Sequence, residues 1–230
     1  MKLLALETST DACSVALWLD GQLLEHFEVQ PRGHGKLILA MVDNILHEAG
    51  LPLNAVDALA FGRGPGAFTG LRVAAGVVQG LAYAVDRPVV AVSSLAALAQ
   101  GVDGERVLAM QDARMGEIYL GMYWRDPGGL VLPWLVDRLC KPGLFLQPLP
   151  HPGPWTVVGS AWSTYHEALA LALSGCDLVH RFDAIYPRAG DVARLAVAGW
   201  ERGEGVGPDQ ALPVYLRDEV VQLPKGQKPV

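Results

Sequence analysis

Two stretches of this chain concentrate residues able to do chemistry. Glu7-Thr8-Ser9-Thr10 places one carboxylate and three hydroxyls on consecutive positions, directly after a short apolar run. Such a group can meet a metal ion or a phosphate, and it is also ordinary loop chemistry. The second stretch is Gly62-Arg63-Gly64-Pro65-Gly66-Ala67-Phe68-Thr69-Gly70-Leu71-Arg72. Its glycines precede a helical pattern, so backbone N–H groups can cradle an anion at the helix start. The lysine of a GxxxxGK[ST] loop is missing. Gly62, Gly64 and Ala67 satisfy GxGxxA formally, but the next strand ends in Ser93-Ser94 where a ribose-binding acid belongs. A tight turn that only delivers the chain into a helix explains the glycines equally well. Elsewhere, the six histidines (His26, His34, His47, His151, His166, His180) form no HxH or HxxxH pair, and no GxSxG elbow occurs. Cys13, Cys140 and Cys176 are odd in number and far apart, which fits idle thiols in a reducing compartment. Asp112-Ala113-Arg114-Met115-Gly116-Glu117-Ile118-Tyr119 reads as either a salt-bridged turn or a functional loop.

The elements that must position these residues follow from periodicity. Residues 2–7 predict a buried strand running into a polar turn. Residues 13–19 and 23–29 flank Asp20-Gly21, a pair that tolerates the positive φ of a two-residue hairpin turn. Helical spacing covers 35–49 and 69–85, and strands are expected near 55–61 and 88–92, with a short helix from Ser93. The first hundred residues thus predict a mixed sheet whose hairpin is antiparallel and whose helical crossovers make parallel pairs. A boundary falls at 101–104. Beyond it, 106–111, 117–123 and 155–158 read as strands and 163–173 and 191–201 as helices. The Pro- and Gly-rich stretch 126–154 predicts nothing definite, and 223–230 reads as a loose tail.

Two helices carry more apolar surface than one sheet requires. In the first, Leu37, Ile38, Leu39, Met41, Val42, Ile45, Leu46 and Ala49 cover about half the circumference, where a stripe of ~100° or somewhat more suffices. In the second, Arg72, Gln79 and Tyr83 are the only polar side chains between Leu71 and Val85. One flank carries Leu71, Ala75, Val78 and Ala82, and the other carries Val73, Val77 and Ala84. Either this is the central helix of a large core, or one flank meets another protein. On the second reading, Leu37, Met41, Ile45, Leu71, Ala75, Val78 and Ala82 are the expected partner contacts, in a four-helix interface.

Composition bounds the answer. The chain has 230 residues, 51% apolar and 18% charged, which describes a soluble globular protein of one large or two modest domains. Its 18 Lys+Arg against 24 Asp+Glu, with no basic run, make a poor footing for neutralising a phosphate backbone unaided. A nucleic-acid role is therefore expected only through a partner. The apolar run 73–85 is shorter than the ~18 residues a membrane span needs, and Glu7 and Asp11 interrupt the signal-like start, so a cytoplasmic location without membrane contact is expected.

In order along the chain, LLALETSTDACSVAL (3–17), GPGAFTGLR (64–72), SSLAAL (93–98), DARMGEIY (112–119) and PVYLR (213–217) resemble the bacterial TsaB family, also called YeaZ. The departures are conservative: Glu7 stands where the family often has Asp, and Ala67 where Ser is common. The resemblance implies an α/β actin/Hsp70/sugar-kinase-like (ASKHA) fold with mixed sheets flanked by helices. It implies a first domain over 1–102, a reduced second domain over 103–222 whose last helix packs back on the first, and a flexible tail. It also implies a part in forming N6-threonylcarbamoyladenosine next to the anticodon of tRNAs reading ANN codons. There the paralogue TsaD is the transferase, TsaB its dimerisation partner, and the ATPase TsaE joins them; TsaB self-associates when alone, and tRNA is met only through the complex. TsaD-type chains carry Val-Asn-His-x-x-x-His, whose two histidines hold the metal. The matching run here is Val92 to Leu98, so the ligand positions are Ser94 and Leu98, and leucine cannot coordinate. The resemblance therefore implies a catalytically inactive subunit with no metal site. Glu7, Thr8, Ser9, Thr10, Gly64 and Gly66 form its vestigial or residual nucleotide-binding set; no cofactor is expected on the chain itself, and ADP or ATP with Mg at the complex interface stays open. The alternative is an independent actin-like nucleotide hydrolase or phosphotransferase using the same residues.

Overall fold

The central strand β1 (Lys2–Glu7) is enclosed on both faces, with Leu3 and Ala5 turned one way and Leu4 and Leu6 the other. In this computed structural model, which describes residues 1–144 and 153–217, β1 pairs antiparallel with β2 (Ala12–Leu19), and β2 with β3 (Gln22–Val29). The hairpin turns through Asp20 (φ 50°) and Gly21 (φ 99°), as the Asp-Gly pair predicts. On its other side β1 runs parallel to β4 (Ala58–Gly62), which pairs with β5 (Val89–Val92), giving the order β3-β2-β1-β4-β5. The parallel pairs need crossovers, supplied by α1 (His34–Glu48) and α2 (Phe68–Val85), which lie over Leu4, Leu6, Val15 and Leu17.

The second half repeats this plan. β6 (Arg106–Arg114), β7 (Glu117–Arg125) and β8 (Val131–Cys140) form the antiparallel part, and β9 (Trp155–Val158) and β10 (Leu178–Phe182) the parallel part, in the order β10-β9-β6-β7-β8. Read from each central strand, the two sheets have one strand order. α4 (Ala161–Thr164) and α5 (His166–Ala172) cover the face carrying Leu108, Met110 and Ile118.

The last helix of each half is exchanged. α3 (Ser94–Gln100) follows the first sheet but packs on the second, where Leu95, Leu98 and Ala99 join Val107, Ala109 and Val158. α6 (Ala189–Glu201) follows the second sheet but packs on the first, its Ala189, Val192, Ala193 and Ala196 set against Leu3, Ala5, Ala16 and Ala60. The layers therefore run α1/α2, first sheet, α6/α3, second sheet, α4/α5.

Three elements differ from the sequence reading. β8 lies in the stretch left unassigned because Pro133 and irregular pairing break its alternation, features an edge strand tolerates. β10 is also an edge strand, and its exposed Val179, His180 and Arg181 conceal it. The helix expected over 163–173 is divided at Tyr165 into α4 and α5. The tail expected at 223–230 lies outside the described residues.

Candidate functional site

The residues singled out for chemistry converge at the end of β1. Glu7 is 1% exposed; its Oε1 accepts the Ser9 N–H at 2.5 Å and its Oε2 the Ser94 hydroxyl at 2.8 Å, while Ser94 Oγ accepts the Gly64 N–H at 3.2 Å. Burial raises the Glu7 carboxyl above its usual range, against the opposing pull of these hydrogen bonds. Thr8 donates to the Gly70 carbonyl at 2.8 Å, and the Ala67 N–H to the Ser9 carbonyl at 2.7 Å. The glycines are demanded by this closeness. A Cβ on Gly70 would stand 2.0 Å from the Thr8 carbonyl oxygen, and one on Gly66 2.5 Å from that of Ser9. The Gly-rich turn is thus locked onto the 7–10 turn, and the Gly64–Pro65 bond is cis.

A cleft of about 550 Å³ opens beside this junction, between Ser9, Thr10 and Gly66 on one bank and Gln111, Asp112 and Ser160 on the other. Glu7, Thr8 and Gly64 do not line it. Ser9 Oγ is buried without a hydrogen-bond partner among the described residues. On the far bank the 112–119 stretch is a salt-bridged turn: Asp112 accepts from the Arg114 amide and guanidinium and from the Tyr165 hydroxyl, and Arg114, Met115 and Gly116 all have positive φ. Asp11 and Asp183, both exposed, also line the cleft. Glu7 is enclosed by Ser9 and Ser94, and Asp112 across the cleft is engaged by Arg114 and Tyr165.

Ser94 and Leu98, the positions that the resemblance sets against the TsaD-type histidines, are both internal. Ser94 (1% exposed) is the hinge of the Glu7–Gly64 network, and Leu98 is fully buried between α3 and the second sheet. Ser93 beside them caps α3, accepting the Leu95 and Ala96 N–H groups at 3.1 Å, and donates to Asp137 on β8. Burial pushes the Cys13 thiol up to about 11, leaving it protonated rather than nucleophilic.

The residues expected at the partner face are mostly internal in the isolated chain. Met41, Ile45, Leu71, Ala75, Val78 and Ala82, the expected contacts, are buried against this chain's own first sheet, and Leu37 is only half-buried at the rim. The outward side of α2 is the other one: Arg72, Gly76, Gly80, Tyr83 and Ala84 are exposed, with Val73 and Val77 half-buried between them. Nothing lies within 4 Å of a Cβ built on Gly76 or Gly80, so this stripe is a shallow floor open to solvent. On α1 the outward residues include Leu39 and Ala40, with Asp43, Asn44 and His47 further along.

Two mixed sheets of one strand order, each flanked by helices and exchanging their last ones, define a protein of the actin-like ASKHA class. A family model described as TsaD, tRNA N6-adenosine threonylcarbamoyltransferase, matches residues 27–223. The tRNA threonylcarbamoyladenosine biosynthesis protein TsaB of Escherichia coli K12 is 39% identical over 225 residues, 96% of each chain. That of Haemophilus influenzae is 39% identical over 231 residues, covering 96% of this chain and 95% of its own. The solved structure of YeaZ from Pseudomonas aeruginosa is 47% identical with a TM-score of 0.86, covering 94% of this chain and 99% of that one. The chain belongs to the TsaB (YeaZ) family.

Proposed function

We propose that this chain is the noncatalytic partner subunit of a TsaD-type transferase in tRNA threonylcarbamoyladenosine biosynthesis, docking through the outward flank of α2 and the adjoining side of α1. The observation that carries this reading is the floor formed by exposed Gly76 and Gly80 with half-buried Val73 and Val77, on a helix whose other flank already closes the core. Glycines there let a second helix approach closely, as in the interhelical contacts of small-residue seams. The relatives' names support the pathway. The burial of Ser94 and Leu98 supports the absence of a metal-held transferase centre on this chain. In this reading the subunit works in the cytoplasm, forms a heterodimer with TsaD that recruits TsaE, pairs with itself when alone, carries no cofactor of its own, and meets tRNA through the complex. The independent hydrolase is disfavoured because the Glu7 carboxyl does not line the cleft.

The test is Gly80→Glu, introduced into the full chain coexpressed with TsaD. Because Gly80 is exposed and helical, the variant should melt no lower than the parent, replacing glycine gaining about 0.5–1 kcal/mol of helix stability. It should nevertheless fail to copurify with TsaD and leave tRNA unmodified in cells depleted of the parent chain. Undiminished copurification would remove this flank from the interface.

A further inference from the structure

Residues 202–217, after α6, have no regular structure beyond a bridge from Val206 to Val89 and a 3-10 turn (Pro208–Gln210), yet they are held at each step from one half of the molecule to the other. The segment begins in the first half. Ala211 is fully buried in the core beneath α2, and its carbonyl accepts from Gln79 Nε2 at 3.1 Å. The Val214 N–H donates to the Arg63 carbonyl at 2.8 Å, and the Val214 carbonyl oxygen lies 3.0 Å from where a Cβ on Gly64 would stand. The Tyr215 ring meets Phe68 at 5.2 Å between centroids and its hydroxyl accepts from Arg72 Nε at 3.2 Å, while the Arg72 guanidinium lies 4.0 Å over the Phe68 ring.

Two residues later the chain reaches the other half. Arg217 donates to the carbonyls of Ala113 (3.1 Å) and Arg114 (3.3 Å), pairs with Glu117 at 2.8 Å and reaches Met115 Sδ at 3.2 Å. The successive positive φ angles at Arg114, Met115 and Gly116 belong to the turn that Arg217 grips. The pair is partly shielded, with side-chain exposures of 17% and 28%, so it is stronger than a surface ion pair. Residues 214–217 line the cleft whose two banks they join. Among the described residues the halves are also joined by the α3/α6 layer between the sheets and by the 183–188 connection, where Tyr186 meets Phe27 and Arg188 pairs with Glu25, so the strap across the mouth adds to a packed layer within.

We infer that residues 211–217 are a latch that holds the cleft closed, with Arg217 as its catch on the β6–β7 turn. Opening requires this one guanidinium to leave four partners together; its α2 end is anchored by a buried residue and stays in place. The latch acts on the width of the cleft and does not depend on which partner docks on α2.

The test compares the full parent chain with Arg217→Ala and Glu117→Gln by amide hydrogen exchange. Loss of the charge-assisted contacts should speed exchange by roughly tenfold at Val214 and also at Ala67 and Ser9, on the bank that Arg217 does not touch. A spin-label distance across the mouth, from Thr10→Cys to Thr164→Cys with Cys140 and Cys176 changed to Ser, should shift to longer values in both variants. Exchange that rises only over 113–117 and 213–217, with an unchanged distance, would overturn the latch and leave a purely local contact. Glu117→Gln keeps both carbonyl bonds, so it provides the measurement should Arg217→Ala fail to fold.

Discussion

The Glu7 carboxyl is held inside the molecule and does not line the cleft. It stands at the end of β1, with both oxygens turned inward to Ser9 and Ser94. Since burial raises its pKa above 4.5, the folded state binds a proton more readily than the unfolded chain does. The stability it confers is therefore greatest below about pH 4.5 and is lost as pH rises through the folded value. Glu7→Gln removes this titration, so in thermal melts from pH 4.5 to 8 the variant should gain on the parent as pH rises; parallel profiles would refute the assignment. At the same junction, Gly70→Ala drives a Cβ against the Thr8 carbonyl, a backbone atom that cannot swing away. We expect a loss of about 3 kcal/mol in chemical denaturation. An unshifted midpoint would mean that the two turns are not locked together.

At the scale of elements, α2 separates what periodicity can and cannot tell. Its two flanks are both apolar, and the seven contacts expected on the partner side are mostly those that the first sheet covers. Part of the outward stripe was nevertheless marked. At 100° per residue, Gly76 and Tyr83 fall within about 40° of Arg72, so the polar residues and one of the two open glycines share a side. A helix packed on a sheet turns its few polar groups to water, and that rule selects Gly76 over Val78; Gly80 and Ala82 lie about 80° to either side of Arg72, so the wheel alone does not separate them. The hairpin, both long helices and the parallel strands of the first half were equally legible, because each has an unbroken period and a turn signal at its end. β8 and β10 were not, because edge strands with exposed polar or proline residues lack alternation. The 211–217 strap has no period at all, and its anchors lie 100 or more positions away in sequence. Val78 supplies the check on the flanks: Val78→Glu places a charge at a fully buried position and should cost roughly 4 kcal/mol or more, abolishing the cooperative melt. A stable, folded Val78→Glu chain would return that flank to the partner.

For the molecule as a whole, the two sheets share one plan, and the resemblance of five sequence blocks to a single family spans both. The boundary near 101–104 follows the chain, but packing does not, since α3 precedes it and lies on the second sheet while α6 follows it and lies on the first. Expressed separately, 1–102 should lack fixed tertiary structure and bind a hydrophobic dye, because the face bearing Leu3, Ala5 and Ala60 has no cover. Mixing it with 103–230 should restore near-UV circular dichroism. A cooperative melt of 1–102 alone would show that the exchange of helices is dispensable. The same exchange has a consequence in time. During synthesis, the first sheet to leave the ribosome must wait nearly a hundred residues for the helix that completes it, so the newborn chain carries an open apolar face until α6 emerges.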